Sequence, residues 1–139
     1  MVGLVLATHG RLAEELLRAA EGIVGTMERS RAVSISAASS MEAARAELGE
    51  AIRAVDEGEG VLVLTDMFGG TPANLALTFL DERIEVVTGV NLPMVVKLAS
   101  TRRDGLDLAA TAQLLTGYGQ KNITLASDLL RSRASAKTR

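Results

Sequence analysis

The only histidine of the chain, His9, stands where an apolar run stops. Residues 2–7 are apolar or glycine and predict a short strand, and Thr8, His9 and Gly10 form a turn before a helical pattern begins. His9 therefore lies at the carboxyl end of the predicted strand, the edge where open α/β sheets bind ligands. An imidazole there is a candidate nucleophile; the alternative is a turn histidine that caps the strand.

A carboxylate, Asp66, ends a second apolar run in the same way. Residues 61–64 are all apolar, as expected of a central parallel strand buried on both faces, and Thr65 and Asp66 follow. If these two strands are neighbours, their carboxyl ends meet at one edge and Asp66 comes within reach of His9. A carboxylate that accepts the Nδ1 hydrogen leaves Nε2 as the nucleophilic nitrogen. The alternative role for Asp66 is an Asx turn.

The Gly-Gly-Thr-Pro stretch at 69–72 predicts an anion site next to this pair. The glycines let backbone amides approach a ligand closely, while Thr71 and Pro72 are typical of an N-cap and a first helical residue. Free amides at a helix start hold phosphate oxygens, so the predicted chemistry is phosphoryl transfer onto the imidazole. The alternative for Thr71 is a helix cap. The predicted phosphate-binding set is Thr8, Gly69, Gly70 and Thr71.

Five further residues are candidates for partner contact. Met67 and Phe68 are apolar side chains in the loop beside the reactive edge, where either local packing or a docking partner covers them. Arg11 either neutralises a phosphate or is a solvated helix residue. Asn91 and Pro93 are expected to shape the wall of the same cleft.

The elements that must position these residues alternate between short apolar runs and longer segments of helical period, which is typical of β-α-β units. We predict a doubly wound, three-layer α/β fold with a mostly parallel sheet of about four strands and a late edge strand. The predicted strands are 2–7, 32–36, 61–64, 84–88 and 121–125. The second of these alternates with polar residues and is placed near an edge. The predicted helices are 12–24, 41–55 after a capping box at Ser39 and Glu42, one from 71, then 93–99 and 106–115.

The last part of the chain has a different composition. Residues 131–139 are basic and lack apolar periodicity, which predicts disorder. We therefore divide the chain into a domain at 1–126 and a basic, flexible tail at 127–139.

Composition excludes several classes of protein. The 139 residues carry a formal net charge of -2, which argues against nucleic-acid binding. There is no cysteine, as is common in the reducing cytoplasm, and no apolar run approaches the roughly 20 residues that span a bilayer. One histidine and scattered carboxylates offer no recognisable set of metal ligands, so no metal or cofactor is expected.

Together these residues resemble the IIA component of the mannose/fructose/sorbose family of the bacterial phosphoenolpyruvate-dependent sugar phosphotransferase system. The resemblance covers about residues 1–126. It rests on three blocks in order, Leu6-Ala7-Thr8-His9-Gly10, Asp66-Met67-Phe68-Gly69-Gly70-Thr71-Pro72-Ala73-Asn74 and Gly89-Val90-Asn91-Leu92-Pro93-Met94. A histidine phosphatase also ends its first strand in His-Gly, but it needs an arginine where Thr8 stands and a second histidine.

The resemblance implies a phosphohistidine relay. The phosphocarrier protein HPr would donate a phosphoryl group to His9, which Asp66 orients, and His9 would pass it to a separate IIB protein. The family implies a cytoplasmic homodimer in which a late strand, here 123–125, crosses to the partner subunit, and contact with the membrane only through the permease. A stand-alone regulatory phosphoprotein without sugar transport is the alternative.

Overall fold

The computed structural model describes residues 1–137, in which strands and helices alternate as far as Arg103. The strands are β1 Gly3–His9, β2 Ser30–Ile35, β3 Val61–Thr65 and β4 Ile84–Thr88. The helices are α1 Leu12–Val24, α2 Met41–Val55, α3 Thr71–Leu77, α4 Leu92–Arg103, α5 Leu108–Lys121 and α6 Ala126–Lys137. Within this described part, no helix has the length and apolar character needed to cross a membrane.

All four strands form one parallel sheet in the order β2-β1-β3-β4. The first and third strands are neighbours, with Ala7 opposite Thr65, and β2 forms an edge, with Ile35 opposite His9. The carboxyl ends of β2, β1 and β3 therefore meet at one edge of the sheet. This confirms the predicted α/β class and the predicted adjacency of the strands that end at His9 and Asp66.

Two apolar cores cover the faces of the sheet, because successive side chains of a strand point to opposite sides. Leu4 and Leu6 of β1 lie in a core built with α1, α4 and α5. Val5 and Ala7 lie in a second core, built with α2 and α3. The chain thus has the three layers that the sequence predicts, and His9 continues the face that α2 and α3 cover.

Helix α2 begins one residue later than the predicted capping box implies. Ser40 is its N-cap, and the Ser40 hydroxyl oxygen accepts a hydrogen bond from the backbone N–H of Ala43 at 3.0 Å. The hydroxyl of Ser39 lies 3.4 Å from that of Ser36 in the β2–α2 loop. Two adjacent serines offer two possible caps, and the extended backbone of Ser40 (φ -70°, ψ 152°) selects the second.

Helix α5 extends beyond its predicted end at Leu115 to Lys121. Gly117 and Gly119, which as helix breakers favoured an earlier end, lie within it. A Cβ on Gly119 would lie 2.5 Å from Sδ of Met94, so the glycine permits close contact between α5 and α4. Tertiary packing has here overridden a local propensity.

The segment after α5 differs most from the prediction. Residues 121–125 form no strand, and Ile123 and Leu125 are 78% and 66% exposed. The predicted late edge strand is therefore wrong for the single chain, because a strand needs a neighbour for its backbone hydrogen bonds. Residues 131–137 continue α6, whereas the sequence predicts disorder there, and the division into a domain and a flexible tail stays a prediction. Residues 138 and 139 of the predicted tail lie outside the described residues.

Candidate functional site

His9 is the last residue of β1, and its imidazole stands at the carboxyl edge of the sheet with 48% of the side chain exposed. The chain turns at once: Gly10 has φ +55° and donates its N–H to the carbonyl oxygen of Ile35 at 3.0 Å. That bond ties the turn to the end of β2. The result is a half-exposed imidazole on a fixed backbone.

Asp66, one residue beyond β3, holds His9 through both its ring and its backbone. Oδ2 of Asp66 lies 2.8 Å from Nδ1 of His9 and accepts the backbone N–H of the same residue at 3.2 Å. Oδ1 accepts the N–H of Met67 at 3.1 Å, and only 15% of the carboxylate side chain is exposed. This arrangement favours the tautomer with the hydrogen on Nδ1 and leaves the lone pair of Nε2 free. The predicted proximity of the two residues is confirmed.

The backbone of Gly70 lies directly against the imidazole. A Cβ at this position would lie 2.5 Å from Cε1 and 3.1 Å from Nε2 of His9. Since φ is -83° at Gly70, space and not backbone conformation requires glycine here. Gly69 shows the opposite case, with φ +85° and no heavy atom within 4 Å of an added Cβ. Lack of space thus requires glycine at position 70, and a positive φ favours it at position 69.

The start of α3 differs by one residue from the prediction. Gly70 is the N-cap, and Thr71 is the first helical residue with Pro72 in the first turn. Thr71 was predicted to be the cap, but the Gly70 backbone (φ -83°, ψ 168°) is extended and makes the turn into the helix. The Thr71 side chain is thereby released from capping and lines a cavity together with His9.

That cavity has a volume of about 200 Å³ and lies between His9 and the loop from β2 to α2. Its walls are His9, Ile35, Ser36, Ala37, Ser39, Met41, Ala44 and Thr71. Sequence reasoning missed the contribution of this loop. The available signal was that residues 36–40 also follow a strand, but only the strand order shows that β2 lies beside β1.

The comparisons with known proteins agree with this geometry. A family model described as "EIIA-man: PTS system fructose IIA component" matches residues 3–115. The chain belongs to this family. The resemblance drawn from the three sequence blocks is thus confirmed.

Relatives of this IIA chain include both fused and separate proteins. The mannose-specific EIIAB component of Escherichia coli strain K12 is 30% identical over 124 residues, which are 88% of this chain and 38% of that protein. The chain therefore spans well under half of that relative. The fructose-specific EIIA component of Bacillus subtilis strain 168 is 28% identical over 132 residues, which are 94% of this chain and 90% of that protein.

Solved structures share the fold. The mannose/sorbose-specific IIA subunit from Enterococcus faecalis has a TM-score of 0.79 and 32% identity, covering 88% of this chain and 92% of its own. A IIA protein associated with a fucose utilisation operon of Streptococcus pneumoniae has a TM-score of 0.82 and 27% identity, covering 94% of this chain and 99% of its own.

Thr8 of the IIA chain does not belong to the site. Its side chain is fully buried, and its hydroxyl oxygen accepts the backbone N–H of Ala13, in the first turn of α1, at 2.6 Å. Adjacent residues of a strand point to opposite faces, so Thr8 faces α1 while His9 faces the other side. In the structure Thr8 therefore satisfies a free amide at the start of α1, whose N-cap residue is Arg11, and it does not line the cavity beside His9.

Arg11, Asn91 and Pro93 each have a place within the chain's own structure, and their predicted contact with a partner stays a prediction. Arg11 is exposed, and its Nε lies 3.3 Å from Oε2 of Glu14 in an ion pair. Asn91 is the N-cap of α4: its Oδ1 accepts the N–H of Met94 at 3.2 Å, and its Nδ2 donates to the carbonyl oxygen of Gly119 at 3.0 Å. Pro93 lies in the first turn of α4, where its missing N–H costs no hydrogen bond.

Met67 and Phe68 remain at the reactive edge. They follow Asp66 directly, and their side chains are 55% and 76% exposed. Met41, in the wall of the cavity that His9 lines, is 57% exposed. The high exposure of Met67 and Phe68 favours the docking alternative over local packing.

Proposed function

We propose that this IIA chain is a phosphoryl carrier whose acceptor atom is Nε2 of His9. In this proposal HPr donates the phosphoryl group and a separate IIB protein receives it, in the cytoplasm, for sugar uptake and phosphorylation. The single observation that carries the proposal is the 2.8 Å contact between Nδ1 of His9 and Oδ2 of Asp66 on a half-exposed imidazole.

The chemical step follows from that contact. The lone pair of Nε2 attacks phosphorus, the Nε2–P bond forms, and the bond from phosphorus to the donor breaks with its electron pair leaving on the donor. The ring then carries both the phosphoryl group and the Nδ1 hydrogen and is cationic. The carboxylate of Asp66 stabilises that cation through the hydrogen bond it already accepts.

The backbone at the start of α3 supports a place for the phosphoryl oxygens. Nε2 of His9 is 3.1 Å from the position that a Cβ on Gly70 would occupy, so a group on Nε2 would lie beside the backbone of Gly70 and Thr71. The first amides of a helix have no intrahelical partner and can donate to phosphate oxygens. We assign phosphate contact to Gly69, Gly70 and Thr71, without a metal or a cofactor.

Partner docking is assigned to Met67 and Phe68, since a protein donor and a protein acceptor must each approach Nε2 over this loop.

We also propose that two copies form a homodimer through residues 123–125. The support is that Ile123 and Leu125 are largely exposed in the single chain. Light scattering on the purified chain tests the dimer, and a monomer at micromolar concentration would contradict it.

The decisive experiment is incubation with phosphoenolpyruvate, enzyme I and HPr, followed by intact mass measurement and acid treatment. Wild type should gain one acid-labile phosphoryl group, and His9→Ala should gain none while keeping its circular dichroism spectrum. Phosphorylation of His9→Ala, or of neither protein when HPr itself is phosphorylated, would falsify the proposed acceptor. Loss of the group from the isolated phosphoprotein on adding IIB separates carriage from a purely regulatory role.

A further inference from the structure

A second cavity lies at the amino end of the sheet, far from the edge that holds His9. It has a volume of about 340 Å³ and opens between the end of α1 and the end of α4. Its apolar walls are Met1, Val24, Met27 and Ala99, and its polar walls are Thr26, Glu28, Arg102 and Arg103. Ligand sites of proteins typically occupy about 300–1,000 Å³, so the cavity is large enough for a small organic molecule.

Arg102 is the unusual group in this wall. Its Nη1 donates to the carbonyl oxygen of Glu28 and its Nη2 to that of Arg29 at 2.9 Å, whereas its Nε is buried without a hydrogen-bond partner. Among the ion pairs of residues 1–135, none includes Arg102. Burial lowers the pKa of this guanidinium to about 10. Two carbonyl oxygens, which carry no net charge, fix its orientation, and the carboxylate of Glu57 acts on it only through space.

The other charges at the cavity leave a positive excess. Arg103 stands at the rim, and Glu28 is the single acidic side chain in the wall. The ammonium group of Met1 is already bound, at 3.2 Å from Oε2 of Glu57 and 3.0 Å from Oε2 of Glu59. Glu57, which acts on Arg102 from outside the wall, is also paired with Met1 and Arg29, so within the wall itself two guanidinium groups accompany one carboxylate.

We propose that this cavity binds a small organic anion, with its carboxylate or phosphate group at Arg102 and Arg103 and its carbon skeleton against Val24 and Met27. The guanidinium groups supply charge-assisted hydrogen bonds, which neutralise the partly buried charge of Arg102. The apolar walls favour a ligand with a short hydrocarbon part over a bare inorganic ion. No residue of this site belongs to the His9 site, so either can fail without the other.

Amide chemical shifts of the full chain test the proposal with sodium butyrate, acetate, phosphate and chloride at matched ionic strength. We expect saturable shifts at Thr26, Met27 and Arg103, with butyrate binding more tightly than acetate and chloride producing none. Phosphate has no hydrocarbon part and therefore tests the charged part of the site alone. Phosphate-induced shifts at Gly70 and Thr71 would report binding at the separate His9 edge. No saturable shift at the cavity with any probe, or equal shifts with chloride, would overturn the proposal.

Two variants separate binding from folding. Thr26→Trp fills the mouth of the cavity and leaves Arg102 unchanged, whereas Arg102→Gln removes the positive charge. Each variant should weaken butyrate binding by at least about tenfold, because one loses the space for the ligand and the other a charge-assisted hydrogen bond. Arg18→Gln, an exposed arginine of α1, should bind as wild type. If Arg102→Gln does not fold, the butyrate affinity of Thr26→Trp alone tests the site. A Thr26→Trp variant that binds butyrate as tightly as wild type would contradict the proposed site.

Discussion

The two ends of the parallel sheet hold their polar groups in opposite ways. At the carboxyl end, the contacts converge on one side chain: Asp66 binds the ring and the backbone of His9, and Gly70 lies against the same ring. At the amino end, charges pair with one another across the loops that precede the strands, as Arg29 does with Glu57 and Arg83 with Asp56.

This difference assigns the carboxyl end of the sheet to phosphoryl transfer and the ion pairs at the amino end to the stability of the fold. The pairs at the amino end join partly exposed groups and connect the starts of the strands, so we expect them to contribute modestly to folding and nothing to phosphoryl transfer. The contacts at the carboxyl end leave the reactive nitrogen of His9 open to a partner, so we expect their loss to affect transfer more than folding. Four substitutions test this division, in order of decreasing effect.

Gly70→Ala should abolish transfer with little change in stability. The new Cβ would lie 2.5 Å from Cε1 of His9, and the half-exposed ring can turn away at low cost. Displacement of a reacting atom by about 1 Å commonly costs on the order of 100-fold in rate, so we expect at least that loss in phosphorylation by HPr. Gly22→Ala in α1, where an added Cβ meets no atom within 4 Å, is the control and should transfer normally. Normal transfer by Gly70→Ala would show that the ring contact is incidental.

Asp66→Asn should lower the rate of transfer by roughly 10- to 100-fold, by analogy with the loss found when the group that orients a metal-binding histidine is removed. The amide can still fill the space, but it no longer stabilises the cationic ring or fixes the hydrogen on Nδ1. Rapid-quench measurement of phosphoprotein formation gives the rate. Asp128→Asn, at an exposed pair with Arg131, is the matched control, and an equal loss there would remove the special role of Asp66.

Thr8→Val should behave in the reverse manner, although Thr8 adjoins His9. Loss of the buried cap on Ala13 should lower the free energy of unfolding by about 1–2 kcal/mol, measured by urea denaturation, with transfer unchanged. Thr8→Ser keeps the hydroxyl and should recover most of the stability. A valine variant of normal stability that accepts phosphate poorly would return Thr8 to the phosphate-binding set.

Asp56→Asn, at the amino end, should have the smallest effect. The guanidinium of Arg83 holds the pKa of Asp56 below its usual range. This lowered pKa stabilises the fold above the ordinary carboxyl range, near pH 4, and the benefit disappears as pH falls through the pKa of the folded protein. The variant should therefore unfold slightly more easily than wild type at neutral pH and equally at strongly acidic pH. A loss that persists in acid would point to packing instead of charge.

Much of the site could be predicted because it depends on patterns local to each strand. An apolar run that ends in His9 and another that ends in Asp66 identify two strand ends, and parallel topology brings such ends together. The glycine pair indicated a close approach of backbone to the site. That the approaching group at Gly70 is the imidazole itself depends on the distance between β1 and α3, which no local pattern records.

Other parts of the chain were decided by neighbours distant in sequence. Thr8 and His9 are adjacent in sequence, and only the position of α1 shows that Thr8 is buried while His9 is exposed. Ser36 lines the His9 cavity because β2 pairs with β1, and Gly119 lies within a helix because α4 packs closely against it. The segment at 123–125 has the composition of a strand and no strand beside it in the single chain.

The sequence by itself determined the alternation of strands and helices, the fold class, the family and the two residues that meet at the sheet edge. These follow from side-chain periodicity and from residues whose chemistry is specific. The tertiary structure decided which face each strand end presents, which loop borders the imidazole and where Arg102 is buried without a direct ion pair among the described residues. Those features are set by the order in which strands pair and helices pack, and that order is a property of contacts between residues far apart in the chain.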